Sequence, residues 1–147
     1  VTPPPNVWLL TAAAGSIAAA LAHIGCLFGG PDWFRFFGAG EAMARAVEQG
    51  RVLPYVVTIG IAVVLLAWAW YALAAAGHLP RPPLLRTGLI AITAVLLVRA
   101  AAVFAPGVWG PDHSPTFQIV SSLIVLALGL SFLLGTIKAW PLLSMRT

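Results

Sequence analysis

The fold class this sequence predicts is all-α: an integral membrane four-helix bundle with a short amphipathic interfacial segment between spans 1 and 2. Three observations predict it. Hydrophobic residues make up 61% of the 147-residue chain and charged residues only 8%, against ~25% in a soluble domain, so a water-facing surface could not be built. Four apolar runs reach the ~20 residues that a helix needs to cross the hydrocarbon core. Six of the charged side chains crowd into one stretch, GGPDWFRFFGAGEAMARAVEQGR at 29–51, leaving the runs nearly free of charge. The length suits one domain, residues 1–147.

The predicted spans are about 7–28, 55–76, 84–104 and 117–137. The first follows the stiff TPPPN tail. It lacks a charged lead-in and exceeds a signal-peptide core, so it reads as a retained span. Its stripe Ala12, Ser16, Ala19 and His23, and the stripe Ala127, Ser131 and Gly135 on the fourth, would let backbones approach closely where lipid gives helices no hydrophobic reason to associate. Between spans lie Gly29-Gly30-Pro31, Gly50 with Pro54, HLPRPP at 78–83 and APGVWGPDHSP at 105–115, all chain breakers.

The interfacial segment, about 31–50, reads as two short helices broken near Gly38 and Gly40. A helical wheel sets Trp33, Phe36, Phe37, Met43, Ala44 and Val47 against Arg35, Glu41, Arg45 and Glu48, the pattern of a helix lying in the membrane plane. Glu41 starts the second piece, where the helix dipole favours an acid. Gly50 suits the left-handed position after its end. The segment is expected to form either a plain amphipathic connector or a lid over the end of the bundle, with Trp33, Arg35, Phe36 and Phe37 as the main lid residues.

Sidedness follows from charge. Arg81, Arg86, Lys138 and Arg146 share a side with both termini and with no acid; Arg35, Arg45 and Arg51 share the other with Asp32, Glu41, Glu48 and Asp112. The positive-inside rule then puts both termini in the cytoplasm. Arginine far exceeds lysine, and alanine, glycine and proline are abundant. That bias points to a bacterial protein of the inner membrane.

Polar groups inside spans are costly and mark candidate sites. His23, Tyr55, Thr58, Arg99, Gln118, Ser121 and Ser122 come from four different spans, yet all fall toward the lid side. The expected ligand-binding set is His23, Glu41, Tyr55, Arg99, Gln118 and Ser122, with Arg99 either snorkelling to the headgroups or pairing with Glu41 or Asp32. Several chemistries are excluded. Scattered basic residues rule out a nucleic-acid surface. A single cysteine, Cys26, rules out an intrachain disulfide. Widely spaced histidines give no metal site. There is no nucleophile elbow, phosphate loop or dinucleotide fingerprint. No cofactor and no catalytic residue is assigned.

The leading expectation is a protein that binds or moves a lipid- or quinone-like amphiphile through a polar-lined pocket in the outer half. The second is a non-catalytic accessory subunit of a membrane complex, or a homo-oligomer, docking through the small-residue stripe of span 4. The third is a membrane enzyme acting on a lipid or isoprenoid, with His23 and Glu41 as acid and base. Inner-half charges are too few for an ion path.

Overall fold

The computed structural model describes residues 4–145, without the side chain of Pro106. Arg146, one of the residues used for sidedness, lies outside them. Among the described residues the chain is entirely helical: α1 (Val7–Gly29), α2 (Pro31–Phe36), α3 (Glu41–Glu48), α4 (Leu53–Ala75), α5 (Leu85–Ala101) and α6 (Pro115–Ser144), with one-turn 3-10 helices at Ala102–Phe104 and Pro106–Val108. Four of these helices are long and apolar enough to cross a membrane, and at most 28% of any span's most apolar stretch is buried inside the chain. Side chains such as Ile59, Val63, Leu123, Ile124 and Ile137 face outward. A helix satisfies its own backbone, so lipid can serve as their solvent.

Helix ends follow local chemistry. Asn6 caps α1, its Oδ1 accepting from Leu9 N at 3.3 Å, and Ser114 Oγ caps α6 by accepting from Phe117 N at 3.2 Å. Pro54 and Pro115 occupy first turns, where a missing N–H costs nothing. Both lid helices end in a Schellman motif. At α2, Gly38 (φ 79°) donates to Arg35 O and Ala39 donates to Phe34 O. At α3, Gly50 (φ 68°) donates to Val47 O and Arg51 to Ala46 O.

The largest departure from the expected boundaries is at α6, which continues past 137 through Lys138 and Pro141 to Ser144. Ala139 and Leu143 are buried there, at 3% and 2% exposure, and this packing carries the helix through Pro141. Its 30 residues span about 45 Å, longer than the ~30 Å hydrocarbon core.

α1 packs against α4 and α6, and α5 against α6, while α1 and α5 have no Cα atoms within 8 Å of each other. The small residues set the closest approaches. A Cβ on Gly135 would lie 2.7 Å from Leu9 Cγ and 2.9 Å from its backbone N. Asn6 Nδ2 donates to Gly135 O across the same contact at 2.8 Å. Ser131 and Gly135 are therefore consumed inside the chain, and the accessory-subunit reading loses most of its docking stripe. The main core, including Leu9, Leu89, Ile92, Leu96 and Phe132, is separate from a smaller cluster of Cys26, Phe34, Ala44 and Val47 that fixes the lid.

Candidate functional site

The lid end of the bundle gathers the C-terminal ends of α1 and α5 and the N-terminal ends of α4 and α6. It is closed by α2, α3 and the α5–α6 connection. The lid folds around one guanidinium: Arg35 contacts Asp32 at 3.1 Å, Glu41 at 2.8 Å and Glu48 at 2.7 Å, and Arg45 reaches Glu41 at 3.1 Å. Arg35, and secondarily Arg45, hold the Glu41 carboxyl down at about 2, while Glu41 and then Glu48 push Arg35 above its ordinary value. Two further bonds tie the lid to the connection. Glu41 N donates to Asp112 at 3.3 Å, and His113 Nε2 lies 3.0 Å from Gly38 O. His113, expected as a solvated loop residue, instead packs against Trp109 and Phe117, with ring centroids 5.7 and 5.4 Å away. Gly38 lies against the Phe117 ring, where a Cβ would collide.

Phe34 anchors the lid. It is 2% exposed and meets Tyr55 edge-on at 6.2 Å between ring centroids. Sequence reasoning missed it, because it lies between the two faces of the wheel. Of the expected lid aromatics, Trp33 covers Gly25 and Gly29 of α1 while remaining 45% exposed. Phe36 and Phe37 stack edge-on at 5.1 Å; Phe36 faces outward, while Phe37 is partly exposed and also lines the recess beneath the lid.

The polar residues divide into two groups, one on α1 and α4 and the other on α5 and α6. The first surrounds a recess of about 290 Å³ under the lid, lined by His23, Cys26, Phe34, Phe37, Met43 and Thr58, with Val57 and Ile61 on the α4 side. His23 Nδ1 lies 2.8 Å from Ala19 O. A carbonyl only accepts, so Nδ1 carries a proton, and in that tautomer Nε2 is an acceptor. Among the described residues it has no hydrogen-bond partner. Thr58 donates to Pro54 O at 2.7 Å, and the Cys26 thiol lies 3.9 Å from Trp33 O.

The second group surrounds Arg99. Its guanidinium lies 4.4 Å from the Trp109 ring centre, and Nη2 lies 3.5 Å from Ser121 Oγ; Nη1 is buried with no partner. Among the described residues no acid pairs with it. Asp32 and Glu41, the acids expected for it, are taken by Arg35. Gln118 donates to His113 O at 3.0 Å and fixes the connection. The buried, unpartnered Ser122 hydroxyl lines a separate crevice of about 250 Å³ between α5 and α6. The six expected residues thus share one end without forming one cavity. Glu41 forms no hydrogen bond with His23, since both its oxygens serve arginines. The described residues contain no group of three metal-ligating side chains.

This architecture defines a membrane-spanning helical bundle with one capped end. Comparison with models of known protein families, with curated proteins and with solved structures finds no match, so the reading of its role rests on its own geometry.

Proposed function

We propose that this protein binds an amphiphilic small molecule of lipid or quinone type, with its polar head beneath the lid. The observation that carries the reading is the unpartnered His23 Nε2 in an otherwise apolar recess. Apolar walls with a few placed polar groups are the usual form of a small-molecule site, and such sites commonly span ~300–1,000 Å³. A recess of about 290 Å³ suits a single ring or head group. Val57 and Ile61, 37% and 41% exposed on its α4 wall, give a tail a route to surrounding acyl chains. An acceptor selects a donor, so the preferred head carries a hydroxyl, as in a hydroxylated lipid or a reduced quinone.

The same reading puts the protein in a bacterial inner membrane with both termini cytoplasmic, so that the lid faces outward. That assignment is supported by the basic residues at the opposite end.

A calorimetric titration in detergent tests the site with a short-chain hydroquinone and its dimethyl ether. Wild type should prefer the hydroquinone by about tenfold, the worth of one buried hydrogen bond, and His23→Leu should erase the preference. A preference that survives His23→Leu would overturn the proposal.

A further inference from the structure

The end of the bundle opposite the lid has the reverse electrostatic character. Its described cations are Arg81, Arg86 and Lys138; all four acids of the chain lie in the lid and the α5–α6 connection. The ion pairs among the described residues belong to Arg35 and Arg45, so Arg81 and Arg86 have no carboxylate partner. These two arginines line one recess of about 320 Å³, together with Leu85, Thr87 and Leu143. Leu84 precedes α5 at the N-cap position without a side-chain cap, its backbone left-handed at φ 55°. The first-turn amides of α5 therefore add uncapped donors beside the recess.

The recess adjoins an apolar groove. The Arg86 guanidinium lies 4.2 Å over the Trp140 ring, and Trp140 forms one end of a groove of about 670 Å³ between α5 and α6, continued by Ile90, Leu97, Leu133 and Thr136. Thr136 is 6% exposed and its hydroxyl has no partner. A second span docking here would cover the hydrocarbon and leave the arginines uncompensated. An anionic lipid meets both demands, with phosphate at the arginines and an acyl chain along the groove.

From this we infer that the α5–α6 face is a specific site for an anionic glycerophospholipid, with the head group on Arg81 and Arg86 and one acyl chain past Trp140. The site is independent of the recess at His23. Two arginines near a phosphate confer a preference of roughly tenfold or more.

Native mass spectrometry of the purified full chain tests it, with phosphatidylglycerol and phosphatidylcholine of identical acyl chains. Wild type should retain phosphatidylglycerol at least tenfold more tightly. Arg81→Gln with Arg86→Gln should reduce the preference to within twofold, whereas Arg81→Lys with Arg86→Lys should keep most of it. Ala94→Phe, which fills the groove, should weaken both lipids. The inference is overturned by equal binding of the two lipids to wild type, or by a preference that survives the double Gln variant. Inorganic phosphate displacing the lipid at millimolar concentration overturns it too, since the tail would then contribute nothing. So does Ala94→Phe converting an oligomer to a monomer, which would make the groove a contact between copies. Hydroquinone binding at His23 should be untouched by all these variants, so the two proposals fail separately.

Discussion

Phe34 offers the most direct test of how the lid is held. The structure buries this ring to 2% exposure among Cys26, Ala44, Val47, Met43 and Tyr55, apart from the main core. A phenylalanine ring buries about 150–250 Å², which at ~25 cal/mol per Å² is worth about 4–6 kcal/mol against water. A detached lid would leave the ring at the membrane surface, where part of that transfer energy is kept. Phe34→Ala should thus favour opening of α2 and α3 by about 2–3 kcal/mol, at or just below the lower bound of ~3–5 kcal/mol for Phe→Ala in a core. This is a rise of about 30- to 150-fold in the open population. Hydrogen exchange in detergent micelles or nanodiscs reads it directly. The amides of Ala44 and Val47 should exchange faster by that factor while those of Leu89, Ile92 and Phe132 keep their protection. Unchanged exchange in α3 would refute the anchoring role. Equal acceleration in the lid and the four spans would refute the separateness of the lid cluster.

Three further outcomes follow from the same contacts. Gly135→Val should lower the thermal midpoint by the equivalent of about 1–3 kcal/mol through overpacking against Leu9; Gly60→Ala, which meets open space, should be neutral or stabilising, and equal effects would contradict the α1–α6 contact. Folding depresses the Glu41 carboxyl to about 2, so its contribution to lid order is complete above its ordinary pKa near 4.5 and is lost as pH falls toward 2. Exchange in α3 should be flat from pH 7 to 5 after correction for intrinsic rates, and rise below that, with Glu41→Gln removing the transition; a pH-independent wild type would exclude the clamp. In a Cys26→Ser background, cysteine at Gln49 should react with an impermeant maleimide added outside intact cells, and cysteine at His78 only after lysis. The opposite pattern would invert the proposed sidedness.

Sequence alone revealed what depends on one helix at a time. The spans were legible because each apolar run is long enough to cross a bilayer, and the lid boundaries because Gly38 and Gly50 take the left-handed positions that end α2 and α3. Partner choice was not legible. Of the two expectations for Arg99, pairing with Asp32 or Glu41 is not realised: Arg35 lies six residues from Glu41 on the same lid and takes both acids at 3.1 and 2.8 Å. A local pair costs less chain entropy than one joining distant segments, and this was the signal available in advance. The stacking of Arg99 on Trp109 and the bridge from His113 to Gly38 depend on the path of the α5–α6 connection, which no periodicity encodes. α6 ran beyond its expected end because Leu143 and Ala139 had somewhere to pack, a fact about its neighbours rather than about its sequence.

The two ends of the molecule handle charge in opposite ways, and this constrains any account of its role. At the lid end Arg35, Arg45, Arg51 and Arg99 offset Asp32, Glu41, Glu48 and Asp112, four against four, and the described cations of the other end, Arg81, Arg86 and Lys138, have no acid to offset them. Within the lid, pairing is local and partly exposed, so it contributes modest stability but imposes a definite shape on a short segment. Arg51 and Arg99 stand outside that pairing; Arg99 has one buried nitrogen unsatisfied and an aromatic face as its main compensation. An unpaired cation near a membrane surface is tolerable where lipid phosphates or water can approach. Neutrality at the lid thus suits an uncharged, hydroxyl-bearing head under His23, while the basic end suits a phosphate. A ligand that bound both ends equally would require the charge to be shared between them, which the placement of the acids prevents.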